Sequence, residues 1–202
     1  MGFEQKQEIE MKIGETLYVT KRSKWRSWLA KNHNVKKEIW LIYYRKATGK
    51  PRISYDNAVL EALAYGWIDS TAKGIDEERF AQRFSPRRKT SVLSQMNKER
   101  IRELIKEGKM TKIGLKALEH VYDPKTDRPE KFTVPEGILK AIKKNKDAWK
   151  NFQKFPEDYK RIRVSYIESR KRHSTGMYQK ALKHFVKKTS EGKKIGFVKE
   201  RS

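Results

Sequence analysis

Residues 38–44 read EIWLIYY, apolar on both alternating sets of positions. A strand with that pattern has both faces covered, so it predicts the centre of a sheet. Ahead of it, residues 16–20 (TLYVT) have the pattern of a short edge strand. Between the two, Trp25, Trp28 and Leu29 fall at i, i+3 and i+4 on one helical face, with Ser23 as the expected N-cap. Two tryptophans at that spacing read as core before they read as stacking platforms for bases. A turn rich in Gly, Pro and cations occupies 45–52. Ser54 then caps a helix whose Val59, Ala62, Leu63 and Gly66 share a face, and Gly66 stops it. A hairpin follows, with strand 67–72, turn 73–78 and strand 79–85. Alternation turns Phe80 and Phe84 to the core and Arg83 to the opposite side.

Farther on, Ser91 or Ser94 caps a helix bearing Ile101, Leu104 and Ile105, closed by Gly108. Thr111 caps the next, with Ile113, Leu115 and Leu118. Their short connection predicts an antiparallel pair. Residues 123–134, with two prolines and no periodicity, read as a linker. Helical segments are expected at 135–144, 149–152, 156–170 and 178–188. The pattern predicts a mobile tail at 1–13 and an α+β domain at 14–122, whose small, mostly antiparallel sheet is packed with helices. A linker at 123–134 and a basic all-α module at 135–202 complete the chain.

Composition adds charge to this picture. Lys and Arg number 49 against 25 Asp and Glu, a formal net charge of +24. An excess of that size gathers polyanions: nucleic acid, anionic lipid or acidic protein. More than half of it lies in residues 135–202, where 20 cations face 7 carboxylates. The absence of cysteine excludes disulfides, thiolate metal sites and a cysteine nucleophile. The polar first fifteen residues hold no signal-peptide core, and no apolar run approaches the roughly 20 residues of a membrane helix. The expectation is a cytoplasmic protein without membrane insertion.

The stretch from Gly66 to Asn97 concentrates the candidate chemistry. Asp69 sits beside Trp67 and is followed by Arg83, Arg87 and Arg88. A carboxylate there can orient Arg83 or Arg87 and leave another guanidinium to grip a carboxylate or phosphate bidentately. It can equally neutralise a half-buried arginine and pin the turn at Pro86. Ser94 and Asn97 open the next helix, whose N-terminus adds unpaired N–H groups to an anion site, or ordinary capping. In the basic module, Arg161, Arg170, Lys171 and Arg172 precede a turn and a helix with Lys180, Lys183 and Lys187. That helix–turn–helix outline makes nucleic acid a candidate partner, against a solvated basic face. No catalytic residue, metal ligand set or cofactor is assigned: the four histidines stand apart, and no Gly-x-Ser-x-Gly elbow or Walker loop is present.

The chain resembles the YdeI/OmpD-associated family of bacterial bacteriocin-protection proteins. The resemblance is carried by Trp25-x-x-Trp28-Leu29, Glu38-Ile39-Trp40-Leu41, Gly66-Trp67-Ile68-Asp69, Gln82-Arg83-Phe84-Ser85-Pro86-Arg87-Arg88 and Gly108-Lys109-Met110-Thr111. It extends into the basic module through Val134-Pro135, Trp149, Phe152 and Ile167-Glu168-Ser169. Leu93 stands where the family tends to have tryptophan, and Gly176-Met177 where its extension carries arginines. The resemblance implies a role in surviving bacteriocins or envelope stress. Three readings follow: a non-enzymatic binder of an anionic ligand or acidic protein at Asp69, Arg83, Arg87, Arg88, Ser94 and Asn97; a nucleic-acid-binding protein using the basic helices; and an enzyme acting on an anionic small molecule.

Overall fold

The computed structural model describes residues 12–196; the tail expected at 1–13 lies outside them except for its last two residues. In chain order the elements are β1 (Thr16–Leu17), α1 (Arg22–Asn32), β2 (Ile39–Tyr44), α2 (Tyr55–Ala64), β3 (Trp67–Gly74) and β4 (Arg79–Pro86). Then come α3 (Gln95–Lys106), α4 (Lys112–Leu118), α5 (Glu136–Lys143), α6 (Lys146–Lys154), α7 (Glu157–Arg170) and α8 (Thr175–Ser190). The class is α+β, as the alternation predicts.

These elements form two compact units that interleave along the chain. The first takes the residues up to 91 together with Gly108–His120, and the second takes Val92–Glu107 with the residues from 121 on. The sequence places α3 in the N-terminal domain, antiparallel to α4; the structure packs it on α7 instead. Nor are residues 123–134 a free spacer. Arg102 of α3 grips Asp127 with Nε and Nη2, at 2.5 and 2.6 Å, and Phe132 and Val134 lie against the helical core.

The first unit is a four-stranded sheet in the order β1-β2-β4-β3, parallel between β1 and β2 and antiparallel elsewhere. Ile39, Leu41 and Tyr43 of β2 and Phe84 of β4 face Trp25, Leu29, Ala58, Val59 and Ala62 of α1 and α2. Trp25 is fully buried and its indole N–H donates to the Ala58 carbonyl at 3.0 Å, so it belongs to the core. Trp28 stacks on it and meets Trp67 edge-on. Lys21, without a side-chain cap, takes the N-cap position expected for Ser23, whereas Ser54, Ser94 and Thr111 cap α2, α3 and α4 through their hydroxyls.

Two glycines let α4 sit on the end of α2. Gly66 has φ +75°, and a Cβ there would meet the Ala117 methyl at 2.4 Å; a Cβ on Gly114 would meet the Ala64 carbonyl oxygen at 2.2 Å. The same carbonyl accepts from the Thr111 hydroxyl at 2.5 Å.

In the second unit, Ile138, Ile142, Phe152, Tyr159, Ile162, Leu182 and Phe185 fill a core among α5–α8. α3 joins through Glu99, which is 5% exposed and accepts from Arg161 Nε and Nη2 at 2.6 and 2.9 Å. Arg102 Nη1 and Gln95 Nε2 donate to the same carboxylate at 2.6 and 2.8 Å. No helix among the described residues is long and apolar enough to cross a membrane.

Candidate functional site

The residues singled out from the sequence fall in three places. On the first unit's sheet, Asp69 is in register with Phe84, and paired residues share a face. Asp69 therefore lies on the helix-covered side, where the Tyr55 hydroxyl at the start of α2 donates to its Oδ2. Arg83, the residue before Phe84, points to the other face. There its Nε and Nη2 donate to Glu38 Oε2 at 2.8 and 2.6 Å, and its Nη1 to the Ser70 hydroxyl at 3.4 Å. The hydrogen bond from Arg83 holds the Glu38 carboxyl below its ordinary range against the opposing effect of burial. The carboxylate–arginine pair on this strand is thus Glu38–Arg83, not Asp69–Arg83.

Arg87 is the guanidinium that senses Asp69. It is 8% exposed; burial pushes its pKa down and the Asp69 charge pushes it back. Burial also pushes the Tyr43 phenol up, and Asp69 adds to that effect against the opposing charge of Arg52. The Tyr43 hydroxyl, buried at 1% exposure, makes no hydrogen bond. Between Asp69 and Ala72 the register with β4 shifts, and Gln82 Nε2 donates to the Ser70 carbonyl that the bulge frees, at 2.9 Å. Arg88 is exposed just after β4.

Ser94 and Asn97 belong to the second unit. Ser94 Oγ accepts from the Asn97 backbone N–H at 3.2 Å, and Asn97 Oδ1 accepts from Arg100 Nη1 at 2.9 Å. Ser94 is thus occupied in ordinary capping of α3, and the Asn97 side chain in an i,i+3 bond within the helix.

The same helix start, with α7 and α8, encloses a concavity of about 1120 Å³. Lys98, Arg163, Arg170, Arg172, Lys180 and His184 line it, and among the described residues no carboxylate does. Arg163 and Arg170 hold their guanidinium carbons 4.6 and 4.3 Å from the centre of the Tyr166 ring. The Nε of each is buried without a hydrogen bond. Burial depresses the Arg163 pKa, Arg170 adds to the depression, and Tyr159 and Tyr166 oppose it. A buried guanidinium facing a second cation is a place where an incoming anion gains most.

The seven basic residues expected to meet nucleic acid do not form one stripe. Arg161 is spent on Glu99. Lys171 pairs with Glu168 at 2.8 Å and lies over the Tyr178 ring. Lys183 and Lys187 line a separate depression of about 440 Å³ with Lys144, Leu182 and Val186. Arg170, Arg172 and Lys180 remain, all in the large groove. Sequence reasoning counts Arg163 among the basic residues of this module but does not single out Tyr166 or Met177 here. The signal for Tyr166 was present: Arg163, Tyr166 and Arg170 sit at i, i+3 and i+7 on one face of α7. Among the described residues no group of three or more His, Asp or Glu could hold a metal ion.

Comparison with known families divides the chain in two. Residues 17–117, half of the sequence, match the model of a domain of unknown function (DUF8412). Residues 131–192 match the model described as bacteriocin-protection, YdeI or OmpD-associated. The YdeI/OmpD resemblance therefore rests on the helical part, which contains α5–α8, and the Gly66–Asn97 stretch that suggested it falls in the other match. No curated protein and no solved structure matches the chain. The chain belongs to the family of that domain of unknown function over its first half, and over residues 131–192 it is similar to the YdeI/OmpD-associated bacteriocin-protection family.

Proposed function

We propose that this protein, of bacteriocin-protection type, acts as a non-enzymatic binder of an anionic ligand, held in the groove between the start of α3, α7 and α8. One observation carries the reading: five Lys and Arg side chains and a histidine line a concavity that, among the described residues, no carboxylate lines. Such a lining raises the local concentration of anions, and low-dielectric walls strengthen the attraction. Binding needs only this charge. Of the serines along it, Ser94 already caps α3 and Ser169 donates to the Tyr166 carbonyl. The site expected from the sequence contributes Ser94 to this groove, while Asp69, Arg83, Arg87 and Arg88 stand on the sheet unit. The cytoplasm remains the expected compartment.

The test is calorimetric titration of the full chain with inorganic pyrophosphate and with a short DNA duplex, beside an Arg170→Ala/Lys180→Ala variant. Losing one charge-assisted hydrogen bond costs about 1.5–3 kcal/mol, roughly ten- to a hundredfold in affinity. We expect the double variant to lose at least that much for pyrophosphate. Unchanged binding in the variant, with loss instead in Arg83→Ala/Arg87→Ala, would return the site to the sheet.

Nucleic acid is the second reading, favoured by Arg170, Arg172 and Lys180 standing together on a helical hairpin. It predicts DNA affinity falling linearly with salt on logarithmic axes, with a slope reduced by about one for each phosphate contact removed.

A further inference from the structure

The groove has a second chemical character that charge does not explain. Met96, Ile162, Tyr166, Met177, Ala181 and Ile195 line it beside the cations. Tyr166 and Met177 are among the few large apolar side chains the described residues leave open to solvent, at 40% and 45%. Both stand on this one wall system, on consecutive helices. A site for an inorganic anion needs no such surface, and about 1120 Å³ exceeds the usual range for a small-molecule pocket, so an inorganic ion alone would leave most of it to water. Methionine is the side chain that moulds itself to flexible apolar ligands.

Building on the anion-binding reading, we infer that the ligand is a single amphipathic molecule: a phosphate head with an alkyl or acyl chain. The head is taken by Arg163, Arg170 and Lys180, and the chain lies along Tyr166, Met177 and Ala181. The two arginines suit that head because stacking on Tyr166 fixes their guanidinium planes before the ligand arrives. The groove is concave and its apolar residues are wall residues. That shape admits one chain and does not project apolar side chains into a bilayer, as a membrane-surface helix does. A nucleic-acid backbone would use the cations and leave Met177 and Ala181 without a role.

The experiment is calorimetry on the full chain with decyl phosphate below its micelle concentration, inorganic phosphate, decyl maltoside, and phosphatidylglycerol/phosphatidylcholine vesicles. Decyl phosphate should bind one to one and at least tenfold tighter than inorganic phosphate or decyl maltoside. Met177→Gln, which removes the apolar contact without adding charge at an exposed position, should weaken decyl phosphate about tenfold and leave inorganic phosphate unchanged. Arg170→Gln should weaken both. Equal affinity for decyl phosphate and inorganic phosphate would overturn the amphipathic ligand and leave anion binding standing. Equal affinity for decyl maltoside, or binding of vesicles alone, would overturn it in favour of an apolar ligand or a membrane surface. No binding by any phosphate would remove both readings together.

Discussion

Glu99 gathers three side-chain partners in the second unit. It receives Arg161, Arg102 and Gln95, and Arg102 in turn holds Asp127. Removing one partner of a buried ion pair leaves the others uncompensated, which costs about 3–5 kcal/mol. Glu99→Ala should therefore lower stability by about 3 kcal/mol or more in urea denaturation. A change below 1 kcal/mol would mean that the network adds nothing to the fold. The same residue sets a pH dependence. Burial alone would raise its pKa, but the three donors outweigh burial and the net shift is downward from 4.5. Asp127 is likewise lowered from 3.8, chiefly by its hydrogen bond from Arg102. A carboxylate with a depressed folded pKa stabilises above its unfolded value, and that contribution disappears as pH falls through the folded one. Thermal midpoints of the wild type should hold above about pH 4.5 and drop below it, with a shallower drop in Glu99→Gln. At this scale the sequence was legible wherever the partner was near in the chain: Ser54, Ser94 and Thr111 cap three residues ahead, and Trp25 and Trp28 share a helical stripe. Glu99 and Arg161 lie 62 positions apart, and no local period links them.

At the scale of elements, the hairpin and the central strand were readable because two-residue alternation dictates them. The pairing of α3 with α4 was misread because a short loop is only a weak constraint. Ile101 and Leu104 of α3 are buried and α3 packs on α7, while Gly108, at φ +64°, and the two hydrogen bonds from Thr111 to the Ala64 carbonyl carry α4 to α2. That junction is sharply testable. Gly114→Ala places a methyl 2.2 Å from a backbone oxygen that cannot move like a side-chain tip. Overpacking of this kind costs about 1–3 kcal/mol. We expect that loss in thermal denaturation, beside a near-neutral Gly74→Ala, whose Cβ meets nothing within 4 Å. The basic groove was half legible for a related reason. Basic residues were plain in the sequence, but which were free depended on where Glu99 and Glu168 lay. Tertiary pairing consumed Arg161, and a helical i,i+3 pair consumed Lys171.

For the molecule as a whole, the division into units does not follow the chain. Residues 92–107 are spliced out of the first unit and into the second. The family match over 17–117 contains α3, and the match over 131–192 contains the α7 it packs on. A cut at residue 122, where a linear reading puts the boundary, would strand α3 without its partner. In a 1–122 fragment we expect the amides of residues 95–106 to exchange rapidly while those of β2 and β4 stay protected, and both sets to be protected in the full chain. Slow exchange of α3 in the fragment would show that it stands without α7.

The splice also sets a timetable for synthesis. α4 leaves the ribosome only about a dozen residues after α3, so the first unit can close early, with α3 looped out of it. The Arg161 that receives Glu99 is made 62 residues later. At about 5–20 residues per second, the wait is roughly 3–12 s. Throughout that interval an amphipathic helix, with Ile101, Leu104 and a carboxylate still lacking its Arg161 on one side, hangs from an already folded body. Codons that slow translation between residues 120 and 161 would lengthen its exposure, and holdase chaperones should find the nascent chain there.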